Sequence, residues 1–155
     1  MGGPLGEEPG WQGYALPKLQ TMFKPAWAAV ILGVLWALWH LQLFLIHGWT
    51  SSPVWIDVLI LTSLSVLMAL SFNLSVGRVL VAVIAHSAGN PCSHTLNGVL
   101  RGVQTKESLS GDLVIALTLV AMAAVIAWLT RGKLGATENA LGTILIPANK
   151  ELNTR

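Results

Sequence analysis

The chain has 155 residues, of which 54% are hydrophobic and only 10% are charged. A soluble domain carries roughly 25% charged residues, so a chain of this length could not cover its apolar side chains with a water-facing surface. This composition excludes an ordinary soluble domain and predicts a membrane protein. The net charge of +2 comes from scattered Lys and Arg residues, which argues against nucleic-acid binding.

The segment before the first long apolar run predicts a helix that lies in the membrane interface. Its apolar and aromatic residues recur on roughly one face, whereas Lys18 and Lys24 lie elsewhere. Pro17 predicts a break in this helix. The apolar face consists of Trp11, Tyr14, Ala15, Leu19, Met22 and Phe23.

Four segments are long enough to cross a bilayer, which takes about 20 apolar residues in a helix. In chain order they are residues 26–46, 54–72, 79–100 and 113–130. His40 is the single ionisable residue of the first segment, and Asp57 lies near one end of the second. The predicted fold is therefore all-α: a polytopic transmembrane helical bundle of about four spans with an N-terminal interfacial helix.

The third of these segments is apolar only in its first half. Its second half carries polar residues that would form one stripe along a helix, and Pro91 predicts a kink there. Such a stripe is costly against lipid, so we expect it to face other helices or a water-filled cavity. The stripe consists of His86, Asn90, His94 and Asn97.

The distribution of basic residues predicts the orientation in the membrane. With four spans, Arg101 and Lys106 fall on one side, and the other seven Lys and Arg residues fall on the opposite side. Basic loops stay in the cytoplasm, so we expect both termini to be cytoplasmic. The seven are Lys18, Lys24, Arg78, Arg131, Lys133, Lys150 and Arg155.

Polar residues in and beside these spans form a set with hydrolytic chemistry. Glu7 and Glu8 open the chain, His40 lies inside the first span, and His86 and Asn90 share a face of the third. The first and third spans run parallel, so the two imidazoles can approach each other. At about 1.5 Å of rise per residue their depths differ by roughly 9 Å, which helix tilt can absorb.

Each of these residues also has a purely structural interpretation. His40 fits an ordinary hydrogen-bond partner, Asn90 fits a contact between helices, and the two glutamates fit a solvated pair at a helix start. Trp36 and Trp39 are interpreted as packing residues. HExxH, GxSxG and Walker motifs are absent from the sequence. The residues alone therefore predict a polytopic membrane protein, with a buried hydrolytic site as one alternative.

Three stretches, taken in order, resemble the motifs of the CAAX protease and bacteriocin-processing (CPBP, or Abi) family of intramembrane proteases. EEPGWQGYALPKLQ resembles the EExxxR motif, GVLWALWHLQLFL the FxxxH motif, and AHSAGN the HxxxN motif. The resemblance covers roughly residues 2–97. It implies a helical bundle in a lipid bilayer that acts as a CAAX prenyl protease-like endopeptidase on a membrane-associated peptide or protein substrate.

The resemblance also implies roles for individual residues. Glu7 would activate the attacking water with Glu8 beside it, and Asn90 would help to hold the oxyanion. His40 and His86 would position the water or bind a metal. If a metal is used, as in a metalloprotease, it would be a divalent ion such as Zn held by His40, His86 and Glu7.

The sequence departs from the family motifs at several positions. Gln12 stands in place of Arg, Trp36 in place of Phe, and Gln42 in place of Pro, but no proposed catalytic group is lost. Family members have further spans ahead of the paired glutamates, where this chain has six residues. We therefore expect the C-terminal portion of such a protease, lacking the upstream transmembrane helices.

We expect the protein to lie in a bacterial plasma membrane, and we expect its chain to have two parts. Residues 1–135 would form a single, partial protease domain, and residues 136–155 a polar, loosely ordered tail. The alternative is a non-catalytic truncated membrane protein or a scaffold that binds a partner through the polar stripe. A transporter fragment is a weaker alternative because the spans lack paired charges and an inverted repeat.

Overall fold

The computed structural model describes residues 3–46, 52–89 and 111–137. All secondary structure within these ranges is helical, which confirms the predicted fold class. The N-terminal segment comprises α1 (Gly3–Gly10), a π-helical stretch (Trp11–Ala15) and α2 (Leu16–Gln20). The longer helices are α3 (Pro25–Phe44), α4 (Val54–Leu74), α5 (Val79–Gly89) and α6 (Gly111–Leu129).

Three of these helices, α3, α4 and α6, are long and apolar enough to cross a membrane. They match three of the four predicted spans. The described part of the predicted third span is α5, a shorter apolar helix. Asn90, the rest of the polar stripe and the tail from residue 138 lie outside the described residues.

The N-terminal segment is helical throughout, and the predicted break at Pro17 is wrong. Pro17 lies in the first turn of α2, where a missing N–H costs little. The irregularity is instead the widened π-helical stretch that precedes it. Beyond Gln20 the chain turns, and α3 begins with Pro25 at its first position.

Mainly polar residues make up the face that the N-terminal segment buries. Glu8, Gln12, Leu16 and Gln20 recur every fourth residue, and all four are buried. Tyr14 and Met22, by contrast, belong to the predicted apolar face but are exposed. Because Leu16 joins the hydrophobic core, this face packs against the other helices of the bundle.

Helices α3 and α4 pack closely because small residues line their contact. A Cβ atom at Gly33 would lie only 2.6 Å from Cα of Thr62 and 2.9 Å from Cβ of Ser65. The Ser65 hydroxyl donates a hydrogen bond to the Ala29 carbonyl at 2.8 Å. This close packing satisfies a polar side chain inside the bundle and fixes α3, which carries part of the candidate site.

One end of the bundle is held together by polar contacts between four segments. The Ala26 N–H donates to the Gly132 carbonyl at 3.0 Å, which joins the start of α3 to the residues after α6. The Gln20 amide donates to Asn73 Oδ1 at 3.2 Å, and Asn73 Nδ2 donates to the Leu134 carbonyl at 3.0 Å. The N-terminal segment, the start of α3, the end of α4 and the residues after α6 therefore meet at this end.

Candidate active site

Three helices bring four of the five predicted site residues together. Helix α1 carries Glu7 and Glu8, α3 carries His40, and α5 carries His86. Each glutamate lies beside one histidine. The fifth residue, Asn90, lies outside the described residues.

Glu7 lies beside Trp36 and His40 of α3, and its side chain is largely buried, with 9% exposed. Its Oε2 atom accepts a hydrogen bond from the indole N–H of Trp36 at 3.1 Å. The same oxygen lies 4.0 Å from Nε2 of His40. That distance exceeds the length of a direct hydrogen bond, so the carboxylate and the imidazole are near neighbours without touching.

The tautomer of His40 follows from its backbone contact. Its Nδ1 lies 3.0 Å from the Trp36 carbonyl oxygen, one helical turn earlier. A carbonyl oxygen only accepts, so Nδ1 carries the hydrogen. In the neutral ring, Nε2 is then a hydrogen-bond acceptor, and it is the atom that lies near Glu7.

Glu8 and His86 form a direct pair in a more buried position. Oε1 of Glu8 lies 2.7 Å from Nδ1 of His86, and the two side chains are 1% and 10% exposed. The carboxylate therefore orients the imidazole through Nδ1–H. Within the described part of the chain, Glu8 Oε2 and Gln12 Oε1 are buried without a hydrogen-bond partner.

Trp36 is the residue that the sequence analysis missed. Its ring meets the His40 ring edge-on at a centroid distance of 5.7 Å and the His86 ring at 5.1 Å. The sequence analysis interprets it as a packing residue. The available signal was its position: it precedes His40 by one helical turn, and a buried indole N–H requires an acceptor.

Two further aromatic side chains contact the His40 ring. The Trp39 ring lies edge-on to His40 at 5.0 Å, and Phe44 stacks on it at 6.2 Å. Trp39 in turn meets Trp11 of the N-terminal segment at 6.3 Å. This surrounding apolar surface lowers the local dielectric around the polar atoms, which strengthens their electrostatic interactions.

The predicted zinc ligands, Glu7, His40 and His86, do not form a metal-binding group in this structure. Among the described residues, no three His, Cys, Asp or Glu side chains are placed to hold a metal ion. Two ligands of a tetrahedral zinc ion lie about 3.4 Å apart. In the predicted set, Glu7 Oε2 and His40 Nε2 are farther apart, at 4.0 Å. A metal therefore stays a prediction from the resemblance.

The fold and these contacts define a polytopic helical membrane protein in which paired glutamates and two histidines share one site. The chain matches the family of Type II CAAX prenyl endopeptidase Rce1-like proteins over residues 1–92, and it belongs to that family. This confirms the resemblance to CAAX proteases, and the matched range contains all five predicted site residues.

A curated relative gives a shorter match. Over 42 residues the chain is 38% identical to CAAX prenyl protease 2 of Methanococcus maripaludis. The matched stretch is 27% of this chain and 16% of that relative. No solved structure matches the chain. Membership of a protease family and three helices able to span a membrane make this an integral membrane protein.

Proposed function

We propose that the chain is an intramembrane endopeptidase in which Glu7 acts as the general base. The observation that carries the proposal is the pair of acceptor atoms, Glu7 Oε2 and His40 Nε2, at 4.0 Å from each other. Membership of a family of CAAX prenyl endopeptidases supports the class of reaction. The substrate would be a membrane-associated peptide or protein.

The two acceptors have the spacing that holds a water molecule through both of its hydrogens. Two hydrogen bonds of about 2.8 Å to atoms 4.0 Å apart meet at an angle of about 90°, close to the angle of a water molecule. His40 would orient this water, and Glu7 would take one of its protons. The water oxygen would then form a bond to the carbonyl carbon of the substrate.

The remaining steps need a donor for the oxyanion and a proton for the leaving amine. Asn90 is proposed to donate a hydrogen bond to the oxyanion, a contribution typical of such donors. Glu7, having gained a proton from the water, would give it to the amine nitrogen as the C–N bond breaks. Glu8 would act indirectly by holding His86 through Nδ1, which leaves Nε2 of His86 for the substrate.

The setting is proposed to be a bacterial plasma membrane with both termini in the cytoplasm. A divalent metal remains a proposal carried by the resemblance alone, and no step above passes through one. Treatment of the active protein with a chelator, followed by an assay of hydrolysis, tests it directly.

The decisive test replaces Glu7 with Gln, which retains an acceptor for Trp36 but cannot take a proton from water. The protein is reconstituted in liposomes with a fluorogenic membrane-anchored peptide, and peptide cleavage is followed over time. Loss of a general base lowers the rate by roughly 100- to 10,000-fold. Asp112→Asn removes a carboxylate in the first turn of α6 and none of the site contacts described above, so it is expected to cleave like the wild type.

Cleavage by Glu7→Gln at the wild-type rate would refute the role of Glu7. If the wild-type chain itself cleaves no membrane peptide, the non-catalytic alternative, a truncated membrane protein or scaffold, becomes the better account. In that case changes at His40 or His86 should alter assembly and leave no hydrolysis to lose.

A further inference from the structure

Trp36 makes a polar or ring contact with three of the four described site residues. Its indole N–H donates to Glu7, its carbonyl oxygen accepts from His40, and its ring lies against both His40 and His86. The side chain is only 4% exposed. A residue that served packing alone would not need these polar contacts.

In the contact with Glu7, the hydrogen-bond donor is a neutral group, and both side chains are largely buried. A charge-assisted hydrogen bond holds the carboxylate in one orientation, and an indole does so without adding a positive charge beside it. The donor belongs to a rigid ring on α3, so the position of Glu7 Oε2 is tied to that helix.

The contact with His40 comes from the backbone of the same residue. The Trp36 carbonyl at 3.0 Å holds the hydrogen on Nδ1 and leaves Nε2 as the acceptor. The 4.0 Å spacing between Glu7 Oε2 and His40 Nε2 is therefore set at both ends by one residue. The edge-on ring contacts further restrict both imidazoles.

We propose that Trp36 is a positioning residue that sets the spacing between the Glu7 carboxylate and the His40 imidazole. Its indole N–H holds Glu7 at the distance from His40 that a bridging water requires. A Phe at the same position, as in the FxxxH motif, has no N–H to donate and could not make this contact.

The first part of the test is kinetic and rests on the proposed function. Trp36→Phe retains an aromatic ring and removes only the donor, so kcat should fall by roughly 10- to 100-fold while KM changes little. Trp27→Phe makes the same change on the same helix at a residue that is 64% exposed. The control variant is expected to keep the wild-type kcat. A wild-type kcat in folded Trp36→Phe would overturn the proposal.

The second part is spectroscopic and does not depend on hydrolysis. The indole N–H signals are recorded from protein labelled with 15N-tryptophan in detergent micelles, and the Trp36 and Trp27 signals are assigned by their loss in the Phe variants. In Glu7→Gln the acceptor becomes neutral, so the Trp36 indole proton should move upfield and the Trp27 proton should stay. A Trp36 signal that does not respond to Glu7→Gln would overturn the proposal.

The kinetic and spectroscopic tests together distinguish a failure of the proposed function from a failure of the proposed role of Trp36. If the wild type hydrolyses no peptide, the proposed function fails, and the spectroscopic part alone decides whether Trp36 holds Glu7. If circular dichroism shows that Trp36→Phe does not fold, Trp36→Tyr serves for the assignment and the response to Glu7→Gln again decides.

Discussion

The two glutamates of the site make contacts of different kinds with their histidines. Glu8 is 1% exposed and touches His86 directly at 2.7 Å, whereas Glu7 is 9% exposed and lies 4.0 Å from His40. The first geometry is a hydrogen bond and the second leaves room for another group. Adjacent residues in the chain therefore differ in their contacts: Glu8 holds a histidine directly, and Glu7 is the residue that we propose to act on water.

This difference predicts unequal losses of stability. His86→Ala leaves the buried Glu8 carboxylate without its donor, and breaking such a buried pair costs about 3–5 kcal/mol. His40→Ala leaves Glu7 with its hydrogen bond from Trp36, so the cost should be roughly 1–2 kcal/mol. Unfolding of both variants by heat in detergent, followed by circular dichroism, measures the two losses. Equal losses would contradict the assignment of Glu8 to a supporting role.

At the scale of the elements, the contact between α3 and α4 depends on residues that keep the two backbones close. Gly33 on α3 faces Thr62 of α4 without room for a methyl group. Ala28 and Ala29 are fully buried on the same helix. Small residues at such contacts allow close van der Waals packing between helices in lipid, where no hydrophobic force drives them together. Since α3 carries Trp36 and His40, this packing also determines where the site forms.

Replacement of Gly33 by Ala is predicted to destabilise the bundle. The added Cβ would lie 2.6 Å from backbone Cα of Thr62, which forces the helices apart and costs about 1–3 kcal/mol. Gly10→Ala is the matched control, because its Cβ would meet nothing within 4 Å and its backbone is helical. Replacing a helical Gly by Ala in open space stabilises by about 0.5–1 kcal/mol.

Thermal midpoints of the two glycine variants in detergent check this prediction. The midpoint should fall for Gly33→Ala and stay or rise for Gly10→Ala. A Gly33→Ala protein as stable as the wild type would show that α3 and α4 are not held at the distance seen here.

At the scale of the whole molecule, three described basic residues lie at one end of the bundle and two described aspartates lie at the other. Lys24, Arg131 and Lys133 flank the contact between Ala26 and Gly132, and all three are exposed. Asp57 and Asp112 lie in the first turns of α4 and α6, at the other end. Basic residues are retained on the cytoplasmic side, so we expect the end that holds Ala26 and Gly132 to face the cytoplasm.

Accessibility of single cysteines checks this orientation. Ser52→Cys and Lys133→Cys are each introduced into a Cys92→Ser background and expressed in bacterial cells. A membrane-impermeant maleimide should label Ser52→Cys in intact cells and Lys133→Cys only after permeabilisation. The reverse labelling pattern would contradict the predicted orientation.

The membrane spans and the candidate site residues of this protein can be predicted from its sequence. The spans are readable because a bilayer requires about 20 apolar residues in a row, which α3, α4 and α6 supply. The candidate site residues can be predicted because carboxylates and imidazoles are rare in such segments. Their order along the chain also resembles the order of motifs in a protease family that the chain matches.

The tertiary structure alone decided which of these residues touch. The hydrogen bond between Glu8 and His86 joins residues 78 positions apart in the sequence, and the hydrogen bond from Trp36 to Glu7 joins residues 29 positions apart. It also decided that the N-terminal segment turns Glu8, Gln12 and Gln20 toward the bundle and exposes Tyr14. Periodicity places residues on one face of a helix, but the rotation and tilt that aim this face at a partner depend on packing between helices, and no local pattern encodes that packing.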